Sequence, residues 1–128
     1  MPIEDIETGV DLIEIEQVER ALERWGERFK KRVYTDSEQA YCDSRVKPSQ
    51  SYAARFAAKE AAMKALGTGW NGVDWKEIEV TRNRRGKPSI QFHRRAQAVF
   101  ERMNGQAARL SLSHTEGMAI AHVALLLG

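Results

Sequence analysis

The chain has 128 residues, 42% apolar and 30% charged, with 20 Lys and Arg against 18 Asp and Glu. That length suits one domain over 1–128 with room for a core, and the net charge of +2 excludes a polyelectrolyte. A single cysteine, Cys42, excludes an internal disulfide and fits a reducing, cytoplasmic setting.

Cys42 has no neighbouring His and no CxxC partner, so it reads as a core or surface residue rather than a nucleophile. Residues 1–5 are acidic and lack an apolar h-region, which predicts no signal peptide. The longest apolar run, 118–127, is interrupted by His122 and is too short to span a bilayer, so no membrane association is expected.

Gly9-Val10-Asp11-Leu12-Ile13 reads as a short strand interrupted by Asp11. Ile15, Val18, Leu22 and Trp25 then follow helical spacing, with Glu16, Glu19, Arg20, Glu23 and Arg24 outward. Residues 29–34 read as a connection. Thr35-Asp36-Ser37-Glu38 matches a capping box and predicts a helix to Asp43. A linker with Pro48 leads to the strongest helical segment, 51–66, with Ser51 as N-cap and Gly67 just past its end. Gly67-Thr68-Gly69 and Asn71-Gly72 make a flexible loop, and Trp70 is expected to pack over whatever the loop covers. Residues 75–81 and 88–92 read as a hairpin with its turn at 83–87. Residues 94–104 read as an amphipathic helix closed by Gly105. Residues 110–115 and 118–127 read as a second hairpin. The order predicts an α+β fold, a small, mostly antiparallel sheet packed with helices.

Within 51–66, Tyr52, Phe56, Glu60 and Met63 share one helix face, which sets Glu60 among apolar neighbours. A carboxylate there is costly unless compensated. Two compensations are open: Lys64, one turn on, or a metal ion. Lys59 is read as a surface residue. Asp11 is a second acid in an apolar setting, and two such acids suit Mg²⁺, which takes one or two carboxylates plus substrate phosphates and water. Zinc lacks a ligand cluster, with one Cys and three scattered His. Lys64 and Arg55 are candidate phosphate contacts. Gly67-Thr68-Gly69 permits close backbone approach but matches neither the P-loop nor the dinucleotide fingerprint. His114, ending an alternating strand, is a candidate for ligand binding or for a structural role. Between Val80 and Phe100 stand Arg82, Arg84, Arg85, Lys87, Arg94 and Arg95 with no acid, a positive field suited to phosphates or an acidic protein.

Gly9-Val10-Asp11, followed by Phe56-x-x-Lys59-Glu60-Ala61-x-x-Lys64, resembles the 4′-phosphopantetheinyl transferase superfamily. Gly67-Thr68-Gly69, Gly86-Lys87-Pro88 and Ser111-Leu112-Ser113-His114-Thr115 extend the likeness to its short, bacterial holo-[acyl-carrier-protein] synthase type over essentially the whole chain. The resemblance implies an Mg²⁺-dependent cytoplasmic homotrimer serving fatty acid biosynthesis. Such an enzyme moves the phosphopantetheine arm of coenzyme A onto a serine of apo acyl carrier protein and releases adenosine 3′,5′-bisphosphate. It implies Asp11 and Glu60 as metal ligands, forming with Lys64 the catalytic set. It also implies that Lys64, Gly67 and Thr68 contact the coenzyme, with Arg55, Gly86, Lys87, Pro88 and His114 around its nucleotide. A metal-bound water or Glu60 would take the serine proton.

Two positions depart from the pattern. Ile13 stands where two-domain members often carry a third acid, which favours the short type, with coenzyme A bound between subunits. Gln17 stands near where relatives often carry an Arg facing the carrier. Arg20, Arg24, Arg28, Lys30, Lys31 and Arg32 are left to supply the basic face that an acidic carrier requires. The alternative is a non-catalytic trimeric nucleotide-binding scaffold of the same fold, against which retention of Asp11, Glu60 and Lys64 argues. Nucleic-acid binding through 82–95 lacks a stacking aromatic array or a binding motif and is not expected.

Overall fold

The computed structural model describes residues 2–69 and 72–128; Trp70 and Asn71, expected in the covering loop, lie outside the described residues. The chain folds around α4 (Pro48–Leu66). Pro48 has φ preset for a helix and lacks only an N–H that the first turn leaves unpaired. The helix therefore starts before Ser51, and Lys47, not Ser51, is its N-cap. Gly67 ends it in the left-handed conformation, φ 76°, as expected, its N–H donating to the Lys64 carbonyl at 3.1 Å. Alanines and neighbouring residues are buried all round this helix, not on one face.

One side of α4 packs on an antiparallel sheet of β1 (Asp5–Glu14), β5 (Met118–Leu127) and β4 (Gly105–His114), in the order β1-β5-β4. The central strand buries Ala119, Ala121, Val123 and Leu125 against the helix. β1 is longer than expected, and its register sets Gly9 opposite Val123 and Asp11 opposite Ala121. The rest of the chain covers the other sides: α1 (Ile15–Trp25), α2 (Glu27–Val33), α3 (Asp36–Asp43), a 3₁₀ turn at Trp75–Glu77, the hairpin of β2 (Ile78–Arg82) and β3 (Pro88–Phe92), and α5 (Arg94–Arg102).

The α+β class holds, with differences of detail. The single expected sheet is two sheets, and every pairing is antiparallel. Residues 29–34 are not a plain connection: α2 ends at Val33, and its Phe29 and Val33 pack on the core. Residues 75–77 turn before the strand begins. Gly105 does not close α5. Asn104 takes the left-handed step, φ 62°, and Gly105 starts β4 under the Phe100 ring, where a Cβ would overlap the ring.

The Thr35–Glu38 capping box forms as read. Glu38 does more than cap: it is buried and stands 2.8 Å from the ammonium of Lys59, and both side chains are fully excluded from solvent. Lys59, expected at the surface, also donates to the carbonyls of Ile78 at 2.6 Å and Trp75 at 3.0 Å. The other Glu38 oxygen accepts from the Val80 N–H at 2.7 Å. One ion pair thus ties α3, α4, the 3₁₀ turn and β2 together. Burial pulls the Lys59 ammonium below its ordinary value, and the Glu38 charge opposes that pull. Removing one partner leaves the other charge buried alone. Lys59→Met is therefore expected to cost about 3–5 kcal/mol in a urea denaturation, and a loss below about 1 kcal/mol would refute this account of the pair.

Candidate active site

β1 and α4 touch backbone to backbone. A Cβ on Gly9 would overlap the carbonyl oxygen of Ala61, so only glycine fits there. Two residues along β1, on the same face, stands Asp11. The Lys64 ammonium lies 3.1 Å from Asp11 Oδ1 and donates to the Val10 carbonyl at 3.0 Å. Lys64 is thus paired with Asp11 across the β1–α4 contact, not with Glu60 along its own helix. Glu60 is half-buried and makes no ion pair or hydrogen bond among the described residues. Burial first, and then the charge of Asp11, push its carboxyl above the ordinary value, with Lys64 opposing. The structure brings Asp11, Glu60 and Lys64 together as read. Gly67 and Thr68 follow at the end of the same helix, with Thr68 donating its N–H to the Met63 carbonyl.

Two neighbouring carboxylates, one of them half-buried and without an ion pair among the described residues, suit a divalent cation. No cluster of three or more His, Cys, Asp or Glu occurs among the described residues, so no all-protein cage exists there. Mg²⁺ fits this donor set, because its remaining positions are ordinarily filled by substrate phosphate and water. Cys42 is not a competing nucleophile. It is fully buried, and burial pushes its thiol up to about 12.

A second cluster lies on a groove of about 680 Å³ where the start of α4, the β2–β3 hairpin and the β4–β5 turn meet. Arg55, Gly86, Pro88 and His114, all of them candidate coenzyme contacts, line it together. Lys87, between two of them, is exposed, and its N–H is held by the Asn83 side chain at 3.0 Å. Arg82, one of the cations of the 80–100 stretch, joins them, together with two residues not singled out in the sequence, Tyr41 and Arg45. The guanidinium groups of Arg55, Arg82 and Arg45 stand 4.3, 4.5 and 5.4 Å from the Tyr41 ring centre. Burial alone would raise the Tyr41 phenol, but hydrogen bonding from Arg82 and the charges of Arg55 and Arg45 bring it below the ordinary value. Arg55 is buried, and its Nε has no partner. An orphaned buried donor among clustered cations is the signature of an anion site.

Arg55 and Lys64 are nine residues apart, about two and a half turns of α4, so they project to opposite sides of the helix. The acids and the arginine groove of one chain therefore face different ways. Arg94 and Arg95, grouped in the sequence with the phosphate-binding arginines, belong to neither cluster. They line another groove, beside α1 and α2.

Residues 7–121 match the family model described as the 4′-phosphopantetheinyl transferase superfamily. The chain belongs to that superfamily. It is 46% identical over 119 residues to a holo-[acyl-carrier-protein] synthase of Solibacter usitatus, covering 92% of this chain and 95% of the relative. Its structure is similar to the holo-[acyl-carrier-protein] synthase of Neisseria meningitidis, with a TM-score of 0.86, 30% identity, and coverage of 93% of this chain and 96% of the other. It is also similar to the Helicobacter pylori holo-[acyl-carrier-protein] synthase in complex with coenzyme A, with a TM-score of 0.81, 29% identity, and coverage of 92% and 98%.

The β1–α4 contact is what sets Asp11 against Lys64 and Glu60. Gly9→Ala forces the two backbones apart and is expected to cost about 1–3 kcal/mol of stability in chemical denaturation. Transfer activity should fall further than the lost stability explains, since the two acids separate. A Gly9→Ala protein with an unchanged denaturation midpoint would show that the two backbones can give way, and would contradict this account of the contact.

Proposed function

We propose that this protein transfers the 4′-phosphopantetheine group of coenzyme A to a serine of apo acyl carrier protein, releasing adenosine 3′,5′-bisphosphate. The observation that carries the reading is Glu60: a half-buried carboxylate without a partner among the described residues, held beside Asp11 and Lys64. Its neighbours support it, as do relatives named holo-[acyl-carrier-protein] synthase along nearly their whole length.

Asp11 and Glu60 would hold Mg²⁺, which when bound offsets the charge of the coenzyme diphosphate and of the two acids. Lys64 exchanges its Asp11 contact for a phosphate oxygen, as a flexible point charge can. In the transfer, the serine oxygen forms a bond to the β-phosphorus and the bond from that phosphorus to the bridging oxygen breaks. The electron pair leaves with adenosine 3′,5′-bisphosphate. The serine proton must leave as well, and a water at the site or Glu60 would take it. Arg55, Arg45 and Arg82 would take the nucleotide phosphates, with Tyr41 and His114 alongside.

Because these two clusters face opposite sides of α4, a complete coenzyme site requires the groove of one copy beside the acids of another. The sheet face away from α4 supports self-association into a trimer. Ile6, Val10, Leu12 and Ile120 are 53, 51, 59 and 38% exposed there, an apolar stripe on one side of β1 and β5. Val10 and Leu12 flank Asp11 in β1, an edge strand, so a copy seated on this stripe would come near the acids around that edge, not on their own face. Leu12→Arg is expected to turn a trimer into monomers in sedimentation velocity and to remove activity. A monomeric wild-type protein with full activity would refute the shared site.

Incubation with apo acyl carrier protein, coenzyme A and Mg²⁺ should add about 340 Da to the carrier, the mass of the transferred group. No gain with any carrier would sink the transferase reading in favour of a nucleotide-binding scaffold. Asp11→Asn and Glu60→Gln should each lower transfer at least about a hundredfold, as loss of a group that stabilises developing charge does. Glu60 also predicts a pH effect on stability. Its carboxyl sits above the ordinary value, so ionising it opposes the fold, and stability falls as pH rises through that value. Glu60→Gln removes this loss. The metal-free variant should melt higher than wild type at pH 8, with the difference closing as the pH drops to 4.

A further inference from the structure

A groove of about 1430 Å³ lies away from both clusters, between α1–α2 and the wall formed by the 3₁₀ turn and α5. We infer that this second wall, through Lys76 and Arg94, is part of the docking surface for the acidic protein substrate, which is held in the groove rather than on the α1–α2 face alone. The inference rests on the transferase reading and names where its protein partner is gripped.

The charge of the groove is one-sided. Arg28, Lys31 and Arg32 come from one wall and Lys76 and Arg94 from the other; all five are exposed, and none has an ion-pair partner among the described residues. The two acids that line the groove are already engaged. Asp74 caps the 3₁₀ turn through the Trp75 N–H, at 2.8 Å. Glu77 accepts from the backbone N–H groups of Asp74 and Arg95, at 2.6 and 2.9 Å, and pairs with the Arg95 guanidinium at 3.3 Å. Neither neutralises the free cations. Such a field steers an acidic partner and fixes its orientation.

Two further observations point to a protein rather than a small anion. Trp25, 48% exposed, stands on the rim with the Arg24 and Arg28 guanidinium groups over its ring, at 4.9 and 6.0 Å, an amphipathic anchor of the kind found at protein interfaces. The groove also begins at the far end of α1 from Asp11, about 15 Å along the helix, out of line with any group reacting at the acids but within the span of a protein bound there. Arg94 adds a sign of cost: it is a non-glycine residue at φ 47°, a conformation disfavoured for any side chain with a Cβ. It opens α5 and lines the groove, where glycine would relieve the backbone and leave no charge.

The test titrates apo acyl carrier protein into the full protein by calorimetry and measures transfer in parallel. The double variant Lys76→Glu, Arg94→Glu should weaken carrier binding and raise the carrier KM at least about tenfold, with the coenzyme A KM as in wild type. It should also flatten the dependence of kcat/KM on salt. Arg94→Gly separates docking from structure: it should melt no lower than wild type yet bind the carrier about fivefold more weakly, while Arg94→Lys binds nearly normally. Carrier binding and salt dependence unchanged in the double variant would overturn the inference, as would a wild-type protein that binds no carrier. Wild-type binding without transfer overturns the transferase reading and leaves the docking groove standing.

Discussion

The closeness of β1 to α4 is the constraint on which the rest depends. A strand and a helix normally keep side chains between their backbones. Here Gly9 removes its own, Ala61 faces it, and the strand lies directly on the helix. That approach lets a side chain as short as Asp11 come within hydrogen-bond distance of Lys64, fifty-three residues on. It also draws Asp11 near enough for its charge to act on Glu60. A bulkier contact would leave three unrelated surface residues. The glycine is thus a condition for chemistry, with backbone packing as the means.

Contact alone would not fix which way α4 presents its side chains, since an alanine-rich helix packs nearly as well at several rotations. The Lys59–Glu38 pair removes that freedom. Lys59 precedes Glu60 directly, about 100° round the helix, and its ammonium is held by one carboxylate and two backbone carbonyls. A buried ion pair adds little net stability over an apolar substitute, but it penalises every arrangement in which its partners separate. Turning α4 would break the pair, so Glu60 is pointed at Asp11 by the residue beside it.

The sequence made these residues legible unevenly. Asp11 and Glu60 stood out because each is an acid in an apolar run, and their joint spacing with Lys64 is specific. Lys59 did not, because a helix buried all round shows no polar face, and what compensates its charge is Glu38, twenty-one residues earlier in another helix. The helix α2 was missed because Glu-Arg-Phe-Lys-Lys-Arg-Val is short and mostly cationic, with only Phe29 and Val33 to pack. Tyr41 in α3 and Arg45 just after it carry no spacing that ties them to Arg82 in β2, so only folding assembles the three. The arginines between 82 and 95 read as one positive patch, yet β3 carries the chain across the molecule and divides them between two grooves.

The same geometry bears on the choice between an enzyme and a scaffold that only holds a nucleotide. A scaffold needs the arginine groove, and nothing in that groove requires Glu60. A neutral residue at position 60 would relieve both the burial of a charge and its repulsion from Asp11, so a protein kept only for its fold or for nucleotide binding gains by losing the carboxylate. The chain instead keeps Glu60 ionisable, unpaired among the described residues and aimed at a second acid, and keeps Lys59 and Gly9, which hold it there. A cost maintained by two separate structural devices is expected where the second state of the site, with substrate present, is the one that matters.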